Sequence, residues 1–111
     1  GIRYMQKWAK RLPLDFYFMI PSCVPATSDE METAGARLGP EDVKTALRYR
    51  NTLGLGEMMN FPGVLAADGE VLQKLDAAQG RVVDGHAPWL SGKDLNAYIA
   101  AGILSDHESI M

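Results

Sequence analysis

The sequence has little of what marks a specialised chain. It carries one cysteine, Cys23, which excludes an internal disulfide framework and fits a reducing compartment. No apolar run nears the ~18 residues a membrane span requires, and the stretch Phe16 to Ile20 is far too short. Eleven basic residues stand against 14 acidic ones, a formal net charge of -3. Such a chain lacks the positive field that nucleic acid demands, and no run of like charges forms an interaction tail. The opening residues Gly1-Ile2-Arg3-Tyr4 lack the layout of a signal peptide, so a cytoplasmic location is expected. There is no Gly-x-Ser-x-Gly elbow for a serine hydrolase. One cysteine also cannot supply the Pro-Cys-x-x-Cys of one class of zinc deaminase.

What is present is an ordinary composition, 47% hydrophobic and 23% charged over 111 residues, enough for one domain with a modest core. Met5, Trp8, Ala9 and Leu12 fall at helical spacing before Pro13. Leu14 to Ile20 is apolar and aromatic, the pattern of a strand buried on both faces. A long irregular stretch then runs to Gly39. Its acidic cluster of Asp29, Glu30 and Glu32 reads as a solvated loop face or, more sharply, as a lid. Gly39-Pro40 opens a second helix with Glu41 and Asp42 in its first turn and Val43, Ala46, Leu47 and Arg50 on one face. Leu53 to Met58 is the second strand. Asp68 caps a third helix with Val71, Leu72, Leu75 and Ala78 inward and Gly80 at its end. Arg81 to His86 is the third strand. Ser91 and Asp94 resemble a capping box, with Leu95, Tyr98 and Ile99 inward and Gly102 after them. Ile103 to Asp106 is the fourth strand.

The alternation α-β-α-β-α-β-α-β predicts an α/β fold with about four parallel strands and covering helices. A (β/α)8 barrel of about 250 residues uses about 31 per module, so three to four modules fit here, a partial TIM-type barrel. The chain begins inside a helix and stops just after a strand, unlike a polar, flexible domain edge, so a fragment is expected.

Function in such sheets gathers at the carboxyl ends of the strands. Three apolar runs end there on a metal-capable side chain: Leu53 to Glu57, Val82 to His86 and Ile103 to His107. The last two use both histidines of the chain. Alone, each would read as a strand-end polar group satisfied by a loop. Together, Glu57, His86 and His107 are candidate ligands of a divalent metal, and the set suits manganese, iron or zinc alike.

Gly54-Leu55-Gly56-Glu57-Met58-Met59-Asn60-Phe61-Pro62-Gly63-Val64, Val83-Asp84-Gly85-His86-Ala87-Pro88 and Ser105-Asp106-His107-Glu108 resemble the bacterial adenine deaminases of the amidohydrolase superfamily. Pro21-Ser22-Cys23-Val24-Pro25-Ala26-Thr27, Glu32-Thr33-x-Gly35-Ala36 and Leu95-Asn96-Ala97-Tyr98 are similar to the same family. The resemblance covers nearly the whole chain in unbroken order. It implies a single segment, residues 1–111, from the central part of a barrel, strands three to six, with a two-metal centre. By that resemblance Glu57 bridges the metals from the fourth strand, while His86 and His107, ending the fifth and sixth, ligate one of them. The implied substrate is adenine or a related aminopurine.

Three departures stand out. The superfamily's first-strand His-x-His pair has no counterpart, the late-strand aspartate that shuttles protons would lie beyond Met111, and Trp89 stands where a glycine is expected. The isolated chain is therefore expected to hold metal weakly and to be inactive. Its open sheet would self-associate or pair with the rest of a barrel. The alternative is a small doubly wound module that binds a ligand or partner without catalysis. Gly54-x-Gly56 begins like a dinucleotide-binding turn but lacks the third glycine. Cys23 is read as a small buried residue at a strand end.

Overall fold

The computed structural model describes residues 1–26 and 33–108. The acidic cluster Asp29, Glu30 and Glu32 lies outside the described residues, as do Thr27 and the last three positions.

A parallel strand needs a neighbour on which to place its amide groups, and each strand here finds one through a helical crossover. Strands β1 (Phe18–Pro21), β2 (Thr52–Met58), β3 (Val82–Gly85) and β4 (Ser105–Asp106) form one sheet in the order β1-β2-β3-β4, every pair parallel. The crossovers are helical: α2 (Pro40–Ala46) after β1, α3 (Phe61–Leu65) and α4 (Gly69–Ala77) after β2, and α5 (Gly92–Ala100) after β3. Helix α1 (Ile2–Ala9) precedes them all. Chain order and spatial order coincide, so the described strands contain no reversal. A doubly wound sheet requires one, so the described strands do not form the doubly wound alternative. A partial (β/α)8 barrel is compatible with the sheet.

Ile20, Leu55 and Val83 lie in one row across the sheet and are buried with Val43, Ala46 and Leu47 of the second helical region and Val71, Leu75 and Ala78 of the third. Side chains alternate between faces along a strand, so Val82 points the other way, and it is 56% exposed. One face of the sheet is therefore covered and the other is open along Val82.

Several local expectations hold for stated reasons. The Asp68 carboxylate accepts from the amides of Glu70 and Val71, at 3.0 and 3.1 Å, and so caps α4. Gly80, at φ +78°, ends that helical region in the left-handed conformation. The Gly39 amide donates to the Asp42 carboxylate at 3.0 Å, tying the start of α2 to its first turn.

Others are corrected. The first strand begins at Phe18 rather than Leu14, and Leu14 and Tyr17 are exposed. Among the described residues β1 has only β2 beside it, and that pairing starts where the Phe18 amide meets the Asn51 carbonyl at 2.8 Å. Tyr4, Met5, Trp8 and Leu12 are also exposed; α1 is held by Ile2 against the core and by Arg3 over the Tyr49 ring, 4.9 Å from its centroid. Arg50, Leu72 and Ile99 turn outward. Ser91 precedes α5, yet its side chain makes no cap bond. The fourth strand is only Ser105–Asp106, with Ile103 buried in the core before it. Helix α3 was not anticipated, although Asn60 followed by Phe61-Pro62 is a helix-start pattern, and the Asn60 side chain accepts from Gly63 N at 3.0 Å.

The pair Gly54-x-Gly56 does not open a phosphate-binding turn, because both glycines lie inside β2. They permit close approach of the neighbouring strands: a Cβ on Gly54 would fall 1.8 Å from the Val82 carbonyl oxygen, and one on Gly56 would sit 3.0 Å from Met19 Cβ. Gly54→Ala is thus expected to destabilise the chain by at least about 3 kcal/mol. Gly69→Ala, which meets nothing within 4 Å, should leave stability unchanged or slightly raised. Urea unfolding of the two variants checks this; equal midpoints would contradict the tight β2–β3 pairing.

Candidate metal centre

Strands in register deliver their last residues to one level, and the three candidates use this. Glu57 is the penultimate residue of β2, His86 directly follows β3, and His107 directly follows β4. The structure brings all three together: one donor atom from each lies within 4.8 Å of the other two. His86 Nδ1 and His107 Nε2 are 3.5 Å apart, and His107 Nε2 lies 4.0 Å from Glu57 Oε1. Two ligands at about 2.1 Å from a tetrahedral ion are separated by about 3.4 Å. The two imidazoles already sit near that spacing and the carboxylate slightly outside it. A borderline-soft divalent ion suits such a donor set, so these residues fit a metal. The site is open: the Glu57 and His107 side chains are 55% and 41% exposed.

Behind each candidate stands a polar group. Asp84 Oδ2 lies 3.4 Å from His107 Nδ1, while Asp84 Oδ1 accepts from Ser105 Oγ at 2.8 Å and from the Gly85 amide at 3.0 Å. A carboxylate on the far nitrogen directs the other ring nitrogen toward the site. The buried Tyr98 hydroxyl accepts from the His86 amide at 3.1 Å and donates to the Met58 carbonyl at 2.7 Å. Burial raises the Tyr98 pKa, with smaller upward pushes from Asp106 and Asp84 against the lowering effect of the His86 amide bond. Ser22, also buried, donates through Oγ to the Glu57 carbonyl at 2.5 Å, and its amide donates to the Gly56 carbonyl at 3.2 Å.

Sequence reasoning missed Asp84, Ser105 and Ser22, and took Tyr98 only as an inward residue of α5. Two signals were available. Asp84 is a carboxylate inside an otherwise apolar strand, two residues from a histidine. Tyr98 is a phenol on an apolar helix face, and a buried phenol needs a partner. Cys23 is half-buried and free, with the Ser22 hydroxyl 3.6 Å from its sulfur. Trp89 is 77% exposed, in the turn after Ala87-Pro88.

No family model matches the chain. Whole-chain comparison does find relatives. The chain is 59% identical over 110 residues to an adenine deaminase of Dehalococcoides mccartyi, a match covering 99% of this chain and 19% of the relative. This chain is a segment of the adenine deaminase family. The adenine deaminase of Archaeoglobus fulgidus is 56% identical over 109 residues, 98% of this chain and 19% of its own length. Adenine deaminase 2 of Carboxydothermus hydrogenoformans is 52% identical over 108 residues, 97% of this chain and again 19% of the relative. The chain thus spans about a fifth of the length of the curated adenine deaminases it matches. No helix among the described residues is long and apolar enough to cross a membrane.

The Asp84 contact makes a specific prediction about the neutral His107 ring. Its proton should reside on Nδ1, facing Asp84, leaving Nε2 free to accept a cation. Nitrogen-15 NMR of the ring should show this tautomer, and Asp84→Ala should shift the population toward Nε2–H. An Nε2–H ring in the unaltered chain would contradict the orienting role of Asp84.

Proposed function

We propose that this chain supplies three ligands of the metal centre of an adenine deaminase, strands three to six of its barrel. The convergence of Glu57, His86 and His107 within 4.8 Å at the carboxyl ends of three adjacent strands carries the reading. The reaction is hydrolytic deamination, adenine and water giving hypoxanthine and ammonia. Oxygen from water bonds to the purine carbon that bears the amino group, and that group leaves as ammonia. A centre of two metals, manganese, iron or zinc, would supply when bound the Lewis acidity that makes water nucleophilic near neutral pH.

The chain's own residues divide the remaining work. Glu57, with two carboxylate oxygens, can serve two cations at once while partly offsetting their charge. His86 and His107 would bind a cation through imidazole nitrogen, adding no negative charge and so keeping it electrophilic. Asp84 fixes the ring of His107. Nothing among the described residues replaces the first-strand His-x-His pair or the late aspartate of the superfamily, so the 111-residue chain is expected to bind metal weakly and not to turn over adenine. The open sheet face along Val82 is covered in the working enzyme by the rest of the barrel; in the isolated chain it favours self-association, which a monodisperse monomer in sedimentation would contradict. A cytoplasmic site of action accords with adenine as substrate.

The test is the metal content of the purified chain after equilibration with manganese or zinc. The chain should retain metal, and Glu57→Gln should weaken retention by more than about 100-fold, beyond the range for outer groups. Equal metal content in the two proteins would remove Glu57 from the centre.

A further inference from the structure

The carboxyl end of β2 is irregular. Glu57 has φ 43°, a left-handed conformation that a non-glycine residue adopts at a cost, and the strand register between β2 and β3 shifts between Leu55 and Met58. The Glu57 carbonyl lies within that shift and the Met58 carbonyl at its far end, where Met58 pairs with Gly85. Two buried hydroxyls meet them. Ser22 Oγ, at the end of β1, donates to the Glu57 carbonyl, and Tyr98 Oη, on α5, donates to the Met58 carbonyl. The Met59 amide also folds back to the Glu57 carbonyl at 2.6 Å. The Tyr98 oxygen has a second task, since it accepts the His86 amide and so joins the exit of β2 to the exit of β3. Space around it is fully used: a Cβ on Gly85 would lie 3.0 Å from Tyr98 Oη and 2.6 Å from the Ser105 carbonyl.

We infer that Ser22 and Tyr98 are positioning residues that clamp the backbone on which Glu57 and His86 are carried, and so set the spacing of the metal ligands. Neither side chain needs to touch a metal or substrate. Ser22 holds the left-handed turn that aims the Glu57 carboxylate, and Tyr98 fixes that turn relative to His86. The inference rests on the metal reading above for its consequence, but the clamp itself is a property of the metal-free chain.

The test uses Tyr98→Phe, Ser22→Ala and, as a control, Val43→Ala, which opens the core away from the site. Two readouts are taken: amide hydrogen exchange in the metal-free chain and the dissociation constant for zinc. Tyr98→Phe should speed exchange of the His86 amide at least about tenfold relative to the neighbouring core amides. Tyr98→Phe and Ser22→Ala should each weaken zinc by about 10- to 100-fold, while Val43→Ala lowers the melting temperature without a matching loss of affinity. Unchanged His86 exchange in Tyr98→Phe would overturn the clamp. Zinc binding as tight as in the parent, or weakened equally by Val43→Ala, would overturn its role in positioning ligands. If the parent chain itself bound no zinc, the metal reading of this chain would fail, and the exchange result would decide the clamp alone. Should Tyr98→Phe not fold, Ser22→Ala carries the affinity test.

Discussion

The exit of β2 at Glu57 is the constraint on which the site depends. A regular strand would continue its alternation and send this side chain wherever the pleat dictates. Here the backbone turns left-handed at a residue with a Cβ, a conformation worth about 1–2 kcal/mol of strain. It persists because its surroundings over-determine it: the Ser22 hydroxyl and the Met59 amide both bond to the Glu57 carbonyl, and the Tyr98 hydroxyl bonds to the next one. Strain held by buried hydrogen bonds is well suited to a ligand, since it fixes the direction in which the Glu57 side chain leaves the backbone.

The rest of the fold serves this exit. Gly54 and Gly56 allow β2 to lie close against both neighbours, which brings the ends of β2 and β3 to the same level. The row Ile20–Leu55–Val83 anchors the sheet to α2 and α4 on one face. Helix α5 then returns the chain so that Tyr98 reaches under both strand ends before β4 presents His107. Asp84 closes the arrangement laterally, because its register partner is Ser105 and its second oxygen faces the His107 ring. Each of the three candidate ligands is therefore supported from a different place: Glu57 by Ser22 just after β1, His86 by Tyr98 of α5 and His107 by Asp84 of β3.

Much of this was legible in the residues. The positions of Glu57, His86 and His107 follow from three short apolar runs that each end on a metal-capable side chain, the run to His86 being stopped by Pro88. Asp68 announced its helix, since an aspartate before an apolar helical pattern has few other uses. The support was not legible. Ser22 looks like any loop serine until the β1–β2 register places it beneath Glu57. Leu14 to Tyr17 read as buried strand because composition records hydrophobicity and not whether a partner strand lies alongside. The same holds for Met5, Trp8 and Leu12, whose apolar side chains are exposed and face no core among the described residues.

The most direct test of the proposed centre is anomalous X-ray diffraction from crystals of the chain grown with zinc, collected on both sides of the zinc edge. A peak bonded at about 2.0–2.2 Å to Glu57, His86 and His107 together is the predicted result. Zinc bound elsewhere on the chain, with these three side chains holding none, would contradict the assignment.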